Sequence, residues 1–111
     1  MDRIATYRQI IKDLITHYAQ FQPAYGDVEV KTIFDQIHDT YVLMYIGWDK
    51  HRRVYGNVLH FDIKNDKVWL QHNGTEQDVA QELVKAGIPR EHIVLGLHSP
   101  QARPHTDYAV A

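Results

Sequence analysis

The sequence predicts an α+β fold: an antiparallel sheet of four or more strands, with an N-terminal helix and a second helix packed against it. Apolar residues first recur at helical spacing, then alternate along several short segments, and then return to helical spacing. Short connectors join the strand-like segments, which favours antiparallel pairing because a parallel pair needs a crossover of about a dozen residues. The 111 residues suit a single domain, 1–111, with one core.

The N-terminal segment carries an apolar stripe of the kind that one face of an α-helix presents. Its members are Ile4, Tyr7, Ile11, Leu14 and Tyr18, with Ile10 and Ile15 beside them. They predict a helix of about five turns. Pro23 cannot continue the helical hydrogen bonds and Gly26 suits a turn, so the helix ends before them.

Four segments then have the alternation of strands. They cover residues 28–35, 40–48, 54–63 and 68–72. The second, from Thr40 to Trp48, is apolar on both faces, which predicts a central strand covered on both sides. Asn65 and Asp66 lie between the third and fourth segments and tolerate the left-handed conformation that a tight hairpin needs.

The triplet Asn73-Gly74-Thr75 has two interpretations: an acceptor for N-linked sugar, or a strand end followed by a helix start. The second is preferred for a chain that shows no signal peptide and is expected to be intracellular. In it, Thr75 is the N-cap residue and accepts a hydrogen bond from the amide of Asp78. Glu76 and Asp78 then favour the positive end of the helix dipole.

The second helix is expected to end at Gly87, which can turn left-handed while Ile88 folds back on Leu83 and Pro89 blocks continuation. A short strand over residues 93–95 and an irregular C-terminal segment follow.

Composition excludes several classes of protein. There is no cysteine, so disulfides, cysteine-ligated zinc, iron–sulfur clusters and thiol nucleophiles are excluded. Charged residues interrupt the N-terminal apolar pattern, so neither a signal peptide nor a membrane span is expected and a cytoplasmic location is predicted. The formal charge of −2 makes duplex DNA a poor first candidate as a partner.

Several short motifs together resemble the XisI-like family, the fdxN element excision controlling factors found mainly in cyanobacteria. They are Gly47-Trp48, Arg53 with Gly56 and His60, Lys67-Val68-Trp69, Thr75-Glu76, Gly87-Ile88-Pro89, Ile93-Val94-Leu95-Gly96 and Tyr108-Ala109-Val110-Ala111. The resemblance covers essentially the whole chain. It implies a role in programmed excision of a DNA element during differentiation, beside a separate recombinase and a companion protein, XisH. It implies no catalytic residues.

Two groups contain residue types found in catalytic or metal sites, and neither is predicted to be one. His60 and Asp62 lie two apart on a strand, with His72 on the next, but they lack a metal-binding spacing signature and half-buried histidines are commonly structural. Ser99, the only serine, has His98 and His105 near it in sequence, yet is better explained as a turn residue before Pro100. No catalytic residue, metal ligand or cofactor is predicted.

The cluster Lys50, His51, Arg52 and Arg53 is the one concentrated basic feature, between Trp48 and Tyr55. It is interpreted either as a solvated hairpin loop or as a contact for phosphate or for an acidic partner.

The C-terminal segment combines Pro100 and Pro104 with an apolar end, unlike a flexible polar extension. Arg103, Pro104, Tyr108 and Val110 are its candidate contact residues, either within one chain or across a subunit interface. The chain is thus interpreted as a non-catalytic regulatory protein, expected to form a homo-oligomer and to contact an XisH-like companion. The alternative is a weak nucleic-acid-binding accessory factor.

Overall fold

The computed structural model describes residues 2–111. Within them, two α-helices and five strands follow one another along the chain, and two single turns of 3-10 helix lie at Arg90–His92 and Arg103–His105. The elements are α1 (Arg3–Ala19), β1 (Asp27–Asp35), β2 (Thr40–Asp49), β3 (Arg52–Lys64), β4 (Lys67–Asn73), α2 (Val79–Ala86) and β5 (Ile93–Leu95). No helix in this part of the chain is long and apolar enough to cross a membrane.

The five strands form one sheet in the order β1-β2-β3-β4-β5. The first four are antiparallel, whereas β5 pairs parallel with β4. The parallel pair arises because α2 lies in the connection between these two strands and returns the chain to the same end of the sheet. The predicted α+β class is confirmed, and the sheet is mixed at one edge.

The core lies between the two helices and one face of the sheet. Helix α1 contributes Tyr7, Ile11 and Ile15, and α2 contributes Val79, Ala80 and Leu83. The sheet contributes fully buried side chains from its central strands: Tyr41, Leu43, Leu59 and Phe61. Full burial of a large apolar side chain contributes about 1.5–3 kcal/mol, so this packing holds both helices on the same face.

Strand β2 does not have the predicted cover on both sides. Its inner residues belong to the core cluster, but on the other face burial decreases along the strand: Val42 is buried, Met44 and Ile46 are half-buried, and Trp48 is 51% exposed. Both helices pack on the opposite face, so neither helix covers Trp48. The apolar residues on both faces correctly predicted that β2 is a central strand. They did not mean that a second layer of structure covers its other face.

The tight turn between β3 and β4 has the predicted conformation. Asn65 and Asp66 have φ angles of 54° and 62°, and Lys64 pairs directly with Lys67. Two consecutive left-handed residues match the right-handed twist of the flanking strands.

The predicted N-cap of α2 is wrong by three residues. Asp78 caps the helix, because its Oδ1 accepts from Gln81 N at 3.1 Å. Thr75 Oγ1 instead accepts from Gln77 N at 3.2 Å and donates to Asn73 Oδ1 at 2.7 Å. Asn73 Oδ1 also accepts from Thr75 N. These local bonds hold the triplet in a turn, so the helix begins only at Val79.

The predicted end of α2 is confirmed. Gly87 has a φ of 120°, its amide donates to Val84 O at 3.0 Å, and Ile88 N donates to Leu83 O at 3.1 Å. Ile88 is fully buried, so the turn also closes the core beneath the helix end.

Candidate functional site

The β2–β3 hairpin extends beyond β4, whereas β1 pairs with β2 as far as Trp48. Strand β4 pairs with β3 only from Leu59 to Lys64, whereas β3 begins at Arg52. Residues 52–57 of β3 are therefore paired with β2 alone. Close packing of backbones supports this arm where β1 meets it, because a Cβ atom at Gly47 would overlap the carbonyl oxygen of Asp27.

Arg53 contacts two exposed aromatic rings at the end of this hairpin. Its guanidinium carbon lies 5.2 Å from the centroid of Trp48 and 5.5 Å from that of Tyr55. Trp48 pairs directly with Arg53 across the two strands, and Arg53 Nη1 donates to Gly47 O at 3.3 Å. Trp48 and Tyr55 are 51% and 65% exposed. We refer to Trp48, Arg53 and Tyr55 as the aromatic–arginine cluster.

The other predicted basic residues form the turn itself. Lys50 has a φ of 57°, and Lys50, His51 and Arg52 are all exposed. Arg52 Nη2 lies 3.7 Å from Asp49 Oδ2, so an acid within the turn offsets part of the positive charge. The structure thus brings the four residues together at one tip, with Arg53 held against the rings and the others directed to solvent.

The C-terminal segment packs on its own chain, beside β4 and β5. Ala109 N donates to Ile93 O at 2.9 Å, and Ala109 forms a parallel bridge with Val94. Arg103 lies 5.1 Å from the Trp69 ring centroid. Tyr108 packs against the core, and this burial raises its pKa. Of the predicted contact residues, Arg103 and Tyr108 thus face the fold.

Pro104 and Val110 are the two predicted residues of this segment that remain exposed, Val110 by 53%. Together, these two side chains form a small exposed surface on the C-terminal segment.

The polar group on β3 has a structural explanation. Asp62 accepts from His60 Nε2 at 3.0 Å, from Thr40 Oγ1 at 2.9 Å and from Gln71 Nε2 at 3.1 Å. His72 pairs with His60 in the sheet register. Among residues 2–111 no group of three or more histidines and acids is arranged to hold a metal ion. These bonds hold β2, β3 and β4 together.

Ser99 is in a turn, as predicted. Its carbonyl oxygen accepts from Ala102 N at 2.9 Å and from Arg103 N at 3.2 Å, and its Oγ accepts from Ala102 N. In the described part of the chain no hydrogen bond joins Ser99 to His98 or His105.

Sequence reasoning missed a cleft of about 700 Å³ between the end of α1, the sheet and the loop before α2. Tyr18 Oη donates to Glu82 Oε2 across one wall at 2.5 Å. Burial, followed by this bond to a carboxylate, raises the pKa of Tyr18 to about 12. The cleft combines five separate segments of the chain, from α1, β2, β3, the loop before α2, and α2 itself. No pattern within one segment therefore indicates it, although Phe21, an apolar residue beyond the helix stripe, lines it.

The fold defines a class: small α+β proteins in which two helices cover one face of a largely antiparallel five-stranded sheet whose first three strands extend beyond the fourth at one end. The chain matches the family model described as XisI protein over residues 1–110. It therefore belongs to the XisI family, which confirms the resemblance found in its sequence.

Two solved structures support this assignment. An XisI-like protein from Anabaena variabilis ATCC 29413 is 45% identical, with a TM-score of 0.91 over 99% of this chain and 100% of that one. The fdxN element excision controlling factor XisI from the same organism is 32% identical, with a TM-score of 0.85 over 99% and 100%. No curated protein matches the chain significantly.

Proposed function

We propose that this protein controls excision of a DNA element in the cytoplasm without catalysing a reaction, by contacting a companion excision factor of the XisH type. Family membership supports a role in excision control, since one relative is described as an fdxN element excision controlling factor. The observation that carries the contact proposal is the exposed aromatic–arginine cluster.

The composition of the cluster favours a protein partner. Trp, Tyr and Arg are the residue types that most often dominate binding energy at protein interfaces. Trp48 and Tyr55 expose large rings, and the contacts of Arg53 with both rings limit the conformational freedom lost on binding. A partner that covers these side chains would remove substantial apolar area from water.

Co-purification of the protein with the product of the neighbouring gene tests this proposal. Trp48→Ala and Tyr55→Ala should each weaken the complex roughly 30-fold, the effect of losing about 2 kcal/mol at an interface hot spot. Ile37→Ala is the matched control, because Ile37 is 89% exposed in the β1–β2 turn at the opposite end of β2.

Binding is measured by calorimetry, and melting curves establish that each variant is folded. Undiminished binding by both cluster variants, or equal loss with Ile37→Ala, would contradict the proposed surface.

Nucleic-acid binding is the second candidate, favoured by exposed rings beside cations, since bases stack on aromatic side chains and phosphates attract arginine. Replacing Arg52 and Arg53 with Ala should then flatten the salt dependence of binding by about two charges. Arg53→Lys separates the candidates, because lysine keeps the charge for phosphate but loses the planar contact with the rings. Tight, salt-resistant binding of the purified protein to DNA would reverse the order of the two candidates.

A further inference from the structure

Strand β1 forms an open edge of the sheet. It pairs only with β2 among the described residues, so its other side presents unpaired N–H and C=O groups. Proteins commonly protect such edges with short strands, prolines, bulges or charged side chains. The exposed charges Glu29 and Lys31 of β1 are of opposite sign, so they can attract those of a second copy. β1 is nine residues long, contains no proline and pairs with β2 without a register shift. β1 therefore has the length and the regular backbone that a further strand needs to pair along its open edge.

The surface along this edge is partly apolar, and two of its charged side chains lack partners. Ile33 and Phe34 are 41% and 39% exposed. Glu29 and Lys31 are exposed, and neither side chain forms a hydrogen bond or ion pair within residues 2–111. Both lie on the face opposite the helices, because Val30 between them packs against the core.

We propose that β1 pairs antiparallel with β1 of a second copy of this chain, about a two-fold axis at Val30, and so joins the two sheets. In this register Glu29 of each copy lies opposite Lys31 of the other, and Val30 lies opposite itself. Opposite charges directly across a pair of strands stabilise it, and symmetry gives two such pairs. The inference uses the edge alone and does not depend on the proposed function.

Strand geometry restricts the alternatives. Successive residues direct their N–H and C=O groups to alternate sides, so a two-fold pairing must be centred on a residue, not between two residues. A two-fold axis at Lys31 or Glu29 would place that residue opposite the same residue of the second copy. An axis at Thr32 would place Glu29 of one copy opposite Asp35 of the other. Like charges in these positions are destabilising.

A two-fold axis at Ile33 would place Lys31 of one copy opposite Asp35 of the other, which is also an attractive pair. However, the Asp35 carboxylate already accepts from His38 Nδ1 at 2.7 Å and from the amides of Ile37 and His38. That register also pairs only residues 31–35 of each copy, whereas the centre at Val30 pairs 27–33. The longer ladder with complementary charges is therefore favoured.

Charge exchange tests the register in the full-length protein. Sedimentation equilibrium should show a dimer whose dissociation constant rises roughly tenfold in Glu29→Lys, because both attractive pairs become repulsive. Combining Glu29→Lys with Lys31→Glu should restore wild-type dissociation. Glu76→Lys, the same charge change at an exposed site before α2, is the control and should leave the dimer unchanged.

Amide hydrogen exchange supplies a second measurement. Alternate amides of β1, those directed away from β2, should become protected as protein concentration rises through the dissociation constant. A monomer at all concentrations, equal effects of Glu29→Lys and Glu76→Lys, or no rescue by the double variant would overturn the proposal. So would protection of β1 only when the companion is added. Trp48→Ala and Tyr55→Ala should leave the dimer intact, which separates this test from that of the proposed function.

Discussion

The hydroxyl of Tyr41 should link the stability of the fold to alkaline pH. Tyr41 is fully buried, and its hydroxyl donates to Asp39 Oδ1 at 2.9 Å. Asp39 also accepts two bonds from Arg8, at 2.8 Å and 3.1 Å, and these bonds lower the pKa of the Asp39 carboxyl. Asp39 is therefore ionised across the alkaline range. Burial, together with the bond to this carboxylate, raises the pKa of Tyr41 to about 12.

The direction and size of the effect follow from linkage. A tyrosine whose pKa is higher in the folded chain keeps its proton there while the unfolded chain loses it. Its contribution is thus complete below about pH 10 and is lost as pH rises through about 12. The loss amounts to about 1.4 kcal/mol per pH unit over the two units of this interval, or about 3 kcal/mol in all.

Tyr41→Phe separates the hydroxyl from the ring. Near neutral pH the variant should be less stable by about 1.5–3 kcal/mol, because it lacks a hydrogen bond to a charged group. Its stability should fall less steeply above about pH 10, so that the two curves converge near pH 12. Urea unfolding across this range measures both curves.

Tyr25→Phe, at a tyrosine that is 77% exposed, controls for the loss of one phenol group. Parallel curves for wild type and Tyr41→Phe between about pH 10 and 12 would refute the reasoning.

Two further predictions concern stability. Asp78→Ala should lower the free energy of unfolding by about 0.5–2 kcal/mol through loss of the helix cap, measured by urea unfolding, and a larger loss in Thr75→Ala would contradict the assignment of the cap. Truncation after Leu97 should lower the melting temperature without changing the mass seen by light scattering, because the removed segment pairs with Ile93 and Val94 of its own chain. An unchanged melting temperature would show that this packing contributes nothing to stability.

The sequence by itself determined the elements that depend on neighbours along the chain. The period of the apolar residues identified α1 and the four antiparallel strands, and turn chemistry identified Asn65-Asp66 and the end of α2 at Gly87. The predicted cap at Thr75 was wrong, because several residues close together in this stretch have side chains that can cap a helix. Asn73 Oδ1 accepts from both the amide and the hydroxyl of Thr75, and these bonds hold Thr75 in a turn before the helix.

Only the tertiary structure decided what meets across the sheet. The parallel pairing of β5, the cleft near Tyr18 and the packing of the C-terminal segment on β5 all join residues distant in sequence. The same holds for the exposure of Trp48, which depends on which face of the sheet the helices cover. Periodicity reports that a residue lies on one face of its own element, but not which other element covers that face, because that choice is made by the packing of the whole chain.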